Sequence, residues 1–448
     1  MVLTTSLGAL QWSGLHAVVP LAQETAVRDI GGDLIALDTA RYAVLAPDLL
    51  GPGRVLSPQQ VGDPLVDVRH GVAAGLAGKD TAWLLRSSRP GKDTAYEGMA
   101  TRALMDLHAL TDPVGAGPGA VLAAPEGAWG YVWPRDAAFV AVAYARTGHL
   151  DDAVAVLGFL QAQQGADGSL QARYLPTGDG EVPDDRGLQE DGPGWALWAA
   201  SEVLRAAPDS QRAAASAALV PLVTRSTARL LTQLDPVMGL PRPSPDYWEV
   251  AEDELTLGIA ATSMTGLDWA AWLHRQGWVA TPEWQAAGVE PDTLTRHAAR
   301  ARDALVGRFG PGFPRHTAGA PDAAVTFLLP PLARCATAGA DEARVRALPQ
   351  LRRHGGGVAP GAGWRHDGIS WTPQTALQAV AAAAAGRTAE SRRWLDWLEA
   401  HRTQAGSLPE KVLYDGRPAA VAPLAWTSAL VLIALTEPPP VPLGCADG

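Results

Sequence analysis

Two glutamates stand in loops that lead into long helical stretches. Glu249 closes Pro245-Asp246-Tyr247-Trp248-Glu249, after a run of Gly, Pro and Ser (239–245), and a helical pattern begins a few residues later. Glu410 holds a comparable place in Ser407-Leu408-Pro409-Glu410-Lys411, ahead of the last helical stretch. Hydrolysis of an acetal needs such a pair: one carboxyl protonates the departing oxygen and the other draws a proton from the attacking water. Most of the 47 acidic residues serve as solvated surface or helix-start charges. Glu249 and Glu410 differ in sitting beside Trp or Pro, in loops of a helical scaffold, where functional side chains concentrate.

Further polar and aromatic residues fall at similar junctions. Trp133, Arg135 and Asp136 open one helix behind Pro134, a residue suited to a first helical position. Asp136 there is either a helix-dipole carboxylate or, with Arg135 beside Trp133, half of a clamp for vicinal hydroxyls. Asp191, before Gly192-Pro193-Gly194, is either a helix cap or a substrate contact. Arg365 and Trp371 flank another junction as candidates for a sugar contact and a wall, and Trp426 lies at the last one. Glu252, Asp253 and Glu254 read as helix-start acids, and Asp322 as a cap.

The elements that must position these residues are helical. Apolar residues recur at three- and four-residue spacing along 93–110, 134–147, 151–164, 189–206, 211–234 and 255–276. The same holds for 282–309, 322–338, 341–352, 372–385, 389–403 and 423–436. Twelve helices with almost no strand between them fit six hairpins closed into a double ring, an (α/α)6 barrel. No repeated sequence period supports a superhelical stack. Loops before the odd helices are short (Gly148-His149-Leu150, Gly386-Arg387-Thr388), whereas those before the even helices are long and carry Gly, Pro, Trp and charge. In a double ring all even helices start at one end, so the decorated loops converge on one mouth. Residues 1–90 differ: short β-leaning runs at 16–21, 33–37, 42–45 and 82–85, separated by turn residues, predict a small β-rich N-terminal cap, with 91–448 as the main domain.

Composition removes other classes. A net charge of −11 without a basic run argues against nucleic acid or an anionic membrane as partner, and no apolar run is long enough to span a bilayer. Cys335 and Cys445 indicate neither a disulfide framework nor a zinc site. No metal or organic cofactor is expected. The N-terminus shows no signal-peptide pattern, which makes a cytoplasmic monomer or small homo-oligomer the expectation. Gly115-Ala116-Gly117-Pro118-Gly119 follows no strand and reads as a loop, not a dinucleotide site. The 16 Trp outnumber the 7 Tyr and 5 Phe, and a wide apolar face with one donor suits stacking under sugar rings as well as filling cores.

Five motifs, in order, resemble glycoside hydrolase family 15, the group of glucoamylases, glucodextranases and isomaltose glucohydrolases. They are Tyr131-Val132-Trp133-Pro134-Arg135-Asp136, Gln189-Glu190-Asp191-Gly192-Pro193, Asp246-Tyr247-Trp248-Glu249, Leu408-Pro409-Glu410 and Leu424-Ala425-Trp426-Thr427-Ser428. The resemblance spans residues 93–436 and implies an (α/α)6 barrel. It also implies Glu249 as general acid, Glu410 as general base, Arg135 and Asp136 on the terminal glucose, and Trp248, Arg365 and Trp426 as pocket residues. Val250 departs from the second Glu of fungal members, and residues 1–90 are too short for the β-sandwich of many bacterial ones. The implied activity is inverting, exo-acting hydrolysis of short α-1,4- or α-1,6-linked gluco-oligosaccharides, releasing β-glucose. The alternatives are an α,α-trehalase of the same fold and a non-catalytic sugar-binding domain. A raised pKa for Glu249 is expected from the rings of Tyr247 and Trp248.

Overall fold

The computed structural model describes residues 17–57, 64–279, 281–436 and 438. Its centre is a closed ring of six segments: helices Pro134–Arg146, Gly192–Ala206 and Leu257–Arg275, the 3-10 turn Ala323–Leu328, and helices Thr372–Ala384 and Ala425–Leu435. Each packs against the next, and the last returns to the first. An outer helix precedes each of them in sequence or follows it: Glu97–Leu110, Leu150–Gln163, Asp209–Gln233, Pro291–Phe309, Ala340–Leu351 and Thr388–Ala400. This is the (α/α)6 barrel.

Sequence decides which ring a helix joins. Pro134–Arg146 is apolar or small on nearly every side and buries every residue from Pro134 to Ala145. Such a helix is stable only when surrounded. Thr388–Ala400 buries Ser391, Trp394, Leu395 and Leu398 alone, a stripe at three- and four-residue spacing, and turns its charges outward. Burying Leu395 and Leu398 stabilises that contact by about 1.5–3 kcal/mol each.

Two helices come out differently from the sequence pattern. The expected helix over 322–338 is only the turn Ala323–Leu328, because Pro330 and Pro331 lack the N–H that would continue it and push the preceding residue out of the helical region. The stretch 282–309 is split into Thr281–Ala286 and Pro291–Phe309 around Gly288, whose φ is +73°.

The N-terminal region holds a four-stranded sheet. Strand Thr25–Arg28 pairs antiparallel with Leu34–Leu37 and parallel with Val55–Leu56, which pairs antiparallel with Leu49–Leu50. Two runs expected as strands are helical instead. Residues 42–45 belong to helix Thr39–Leu45, capped where Asp38 accepts from Arg41 N at 2.8 Å. Residues 82–85 end the 22-residue helix Pro64–Leu85, where Ala and Leu propensity prevails over a short apolar run. Of the run 16–21, residue 16 lies outside the described residues and Leu21 makes an isolated bridge to Ala420. The sheet docks on the loop before Glu410: Ala405 N donates to Glu24 Oε1 (2.6 Å), Thr403 Oγ1 to Glu24 O (2.9 Å), and Thr25 Oγ1 meets Ser407 Oγ at 2.9 Å.

Cys335 is disulfide-bonded, contrary to expectation. Sequence separation carries no information on spatial distance, and its partner lies outside the described residues. No helix among the described residues is long and apolar enough to cross a membrane.

Candidate active site

Glu249 ends a short turn built on Asp246. Its own N–H donates to Asp246 O (2.7 Å), and Trp248 N donates to Asp246 Oδ1 (3.0 Å). Glu249 adopts φ +56°, a left-handed conformation that is uncommon for a side chain of this size. A conformation of this kind persists only where its surroundings hold it. Arg315 does that from behind. Its Nη1 and Nη2 bind Asp246 Oδ2 and Oδ1, both at 2.9 Å, and it also reaches Glu252 (2.5 Å) and Asp322 (3.3 Å). Its guanidinium carbon lies 3.7 Å from the Trp248 ring centroid. Tyr247 is tied down by its hydroxyl, which donates to the Asp322 carboxylate and lies 2.8 Å from Pro360 O. Trp248 needs glycine at 361, since a Cβ there would stand 2.4 Å from Trp248 Cζ2.

Glu410 is fixed by its backbone. Its N–H donates to Val421 O (2.8 Å), and its carbonyl accepts from Thr372 N (3.0 Å) and Thr372 Oγ1 (3.1 Å). The small antiparallel sheet of Ser370–Trp371, Lys411–Val412 and Pro418–Ala419 supplies this register. On the side chain, Trp129 Nε1 donates to Oε1 at 3.4 Å. Lys411 Nζ forms an ion pair with Oε2 at 3.2 Å.

The two loops start inner-ring helices at the same end of the barrel, and Glu249 and Glu410 line one cavity of about 270 Å³. That size, near the lower end of ligand pockets, suits a group of about one six-membered ring with its substituents. Trp133, Arg135, Asp136, Trp248, Trp371 and Trp426 line the same cavity. Asp191 is placed one layer deeper. It accepts from Trp195 Nε1 (3.1 Å), makes no capping bond to the helix backbone, and faces Arg135 electrostatically. Arg365 does not line the cavity. It is exposed, 5.8 Å from the Trp364 ring centroid, and it is Trp364 that reaches the wall.

Sequence reasoning passed over Trp129, Arg173, Arg186, Trp364, Gln374 and Lys411 on the cavity and Arg315 behind it. Trp129 and Lys411 adjoin motifs that were recognised, so adjacency was an available signal. Arg186 and Arg315 had none. Asp322, read as a cap, does accept from Ala324 N (2.7 Å) but also takes part in holding Arg315. Glu252, read as a helix-start acid, binds Arg315 and meets His316 Nε2 at 2.9 Å.

Five indoles on the wall, those of Trp133, Trp248, Trp364, Trp371 and Trp426, have a buried Nε1 without a hydrogen-bond partner among the described residues. Arg135 Nη1 and Gln374 Oε1 are in the same state. Buried polar atoms are normally satisfied, so this concentration marks a place where water or a polar ligand finds partners.

Burial pushes the Glu410 carboxyl above its usual range; Lys411 and the Trp129 donor pull it back, and the Glu249 charge pushes it further up. Burial also raises Asp136 more than Arg135, at 2.9 Å, brings it down. Asp191 is pushed up to about 7 by burial. Glu249 has cations, and not only aromatic rings, around it. Arg135 Nη2 lies 3.7 Å from Oε1, and Arg186 pairs directly with Oε2. The Arg135 guanidinium itself stacks 4.3 Å from the Trp426 ring centroid.

No protein-family model matches the sequence, and no curated protein matches it. Solved structures do match. A wild-type glycosidase aligns with 75% of this chain and 95% of its own, at 22% identity and a TM-score of 0.59. A bacterial glucoamylase complexed with acarbose aligns with 90% of this chain and 61% of its own, at 15% identity and 0.62. The third is a family 63 mannosylglycerate hydrolase from Thermus thermophilus in complex with glucose. It aligns with 75% of this chain and 99% of its own, at 14% identity and 0.53. The fold is thus one that glycoside hydrolases share, across more than one of their families.

Proposed function

We propose that the protein is an inverting, exo-acting α-glucoside hydrolase of the family 15 type, with Glu249 as general acid and Glu410 as general base. The observation that carries this reading is that two glutamates far apart in sequence line one small cavity, the only such pair among its lining residues. Glu410, buried and kept toward its carboxylate form by Lys411 and Trp129, is suited to accept a proton from a water. Glu249, near the entrance, is suited to deliver one to the glycosidic oxygen. Arg135 and Asp136 supply donors and an acceptor for adjacent hydroxyls of the terminal sugar, and the tryptophans wall it. A cavity of this size favours one terminal ring and supports exo action on short substrates. Inversion requires room for a water, so the carboxyls are expected roughly 6.5–9.5 Å apart in the complex.

The test is hydrolysis of maltose, isomaltose and α,α-trehalose, with the first anomer followed by NMR. β-Glucose as the initial product is the expected result. Initial α-glucose overturns inversion, preference for trehalose selects the trehalase reading, and sugar binding without turnover of any substrate removes the enzymatic reading.

A further inference from the structure

Arg186 is a residue on the cavity wall to which the catalytic scheme gives no role. It belongs to the long polar loop before helix Gly192–Ala206, and its side chain is 39% exposed, against 8% for Arg135. The two guanidiniums meet opposite oxygens of Glu249: Arg135 approaches Oε1 from the buried side and Arg186 holds Oε2 from the solvent side. In glycoside hydrolysis the proton donor stands at the bridging oxygen, with the sugar inward and the leaving group outward. Arg135 and Asp136 lie on the sugar side. Arg186 therefore lies where the leaving group must pass.

Charge narrows what that leaving group is. The general acid has to carry a proton before reaction, and a protonated Glu249 no longer offers Arg186 an anion. Arg186 is then left with Asp184 (Nε to Oδ2, 3.2 Å), which Arg173 already binds. Two guanidiniums sharing one carboxylate leave a net positive charge among these three side chains at the leaving-group position. A neutral sugar there does not neutralise it, whereas a carboxylate does. A guanidinium that already grips the planar carboxylate of Glu249 has the shape to grip another.

We propose that Arg186 recognises a carboxylate on the leaving group, so that the preferred substrate is an α-glucoside of a small hydroxy acid. The inference rests on the hydrolase reading and specifies its substrate class. The substrate carboxylate takes over Arg186, and Glu249 is freed to hold its proton. The bond between the anomeric carbon and the bridging oxygen then breaks, and the Glu249 proton goes to that oxygen. Water forms the new bond and gives its proton to Glu410. The products are glucose and the free hydroxy acid.

The experiment compares carboxymethyl α-D-glucopyranoside with its neutral amide, carbamoylmethyl α-D-glucopyranoside, on the full chain. Hydrogen bonds to charged groups predict a kcat/KM ratio of acid to amide of about ten to a hundred. The ratio is expected to fall toward one in Arg186→Gln and to be partly retained in Arg186→Lys. A ratio near one in the unmodified protein, or a ratio unchanged in Arg186→Gln, overturns the inference and leaves the hydrolase reading standing. Cleavage of neither compound, nor of maltose or isomaltose, overturns the hydrolase reading. In that case calorimetric binding of the same two compounds decides the Arg186 assignment, and equal affinity for acid and amide overturns it.

Discussion

Trp371 and Lys411 are directly paired across the small antiparallel sheet at the cavity rim. The pairing brings the Lys411 ammonium 4.3 Å from the Trp371 ring centroid and 3.2 Å from Glu410 Oε2. One strand register thus places a cation on an aromatic wall and beside the proposed base. Lys411 is one of the groups that hold the Glu410 pKa down against burial. Removing the ammonium therefore raises that pKa. A base works only when deprotonated, so the acid limb of the kcat/KM profile moves to higher pH in Lys411→Met. Profiles of the two proteins on one substrate check this, and a shift to lower pH contradicts the assignment of Glu410.

Glu249→Gln and Glu410→Gln are each expected to reduce kcat by about 10²–10⁴-fold on a disaccharide, the range typical of acid–base groups. They part company on a 2,4-dinitrophenyl α-glucoside, whose leaving group departs without a proton. Glu249→Gln recovers much of its rate there and Glu410→Gln does not. Equal recovery in both variants exchanges or removes the roles.

Arg315 does not itself line the cavity, yet it holds Asp246, Glu252 and Asp322 together behind the Glu249 turn. Deleting it in Arg315→Ala strips buried Asp246 of its ion pair, at a cost of about 3–5 kcal/mol of stability measured by denaturant unfolding. Arg315→Lys keeps the charge and loses the two-pronged grip on Asp246. A displacement of about 1 Å at the turn then lowers kcat by about 10²-fold with the fold intact. A normal kcat in Arg315→Lys shows that the turn does not depend on this clamp.

Asp191 has a folded-state pKa of about 7, above the ordinary 3.8. A raised carboxyl pKa means that the folded protein favours the protonated form. Stability from this group is greatest below 3.8, declines as pH rises toward 7, and levels off above it. Asp191→Asn removes the titration. Its stability relative to the unmodified protein is expected to increase between pH 4 and pH 7 by a few kcal/mol, on the order set by about 1.4 kcal/mol per unit. Thermal melts across that range give the answer, and a pH-independent difference contradicts it.

The sequence by itself determined the helical architecture, because apolar spacing, the count of helices and the alternation of short and long loops are all written in one dimension. It also determined that the Trp133–Asp136, Glu249, Trp371, Glu410 and Trp426 junctions share one end, because alternate loops of a double ring must. What it could not supply were partners remote in the chain. Arg186 and Glu249 are 63 positions apart, as are Arg315 and Glu252, and Arg315 and Asp246 are separated by 69. Nothing local in any of these residues signals the other. The same limit misplaced Arg365, whose loop turns Trp364 and not the guanidinium to the cavity. The helix at 322–338 is shortened for a local reason, a proline pair that prevails over apolar spacing. Periodicity is a local property and survives in one dimension, while the pairing of charges in a pocket exists only after the chain has closed on itself.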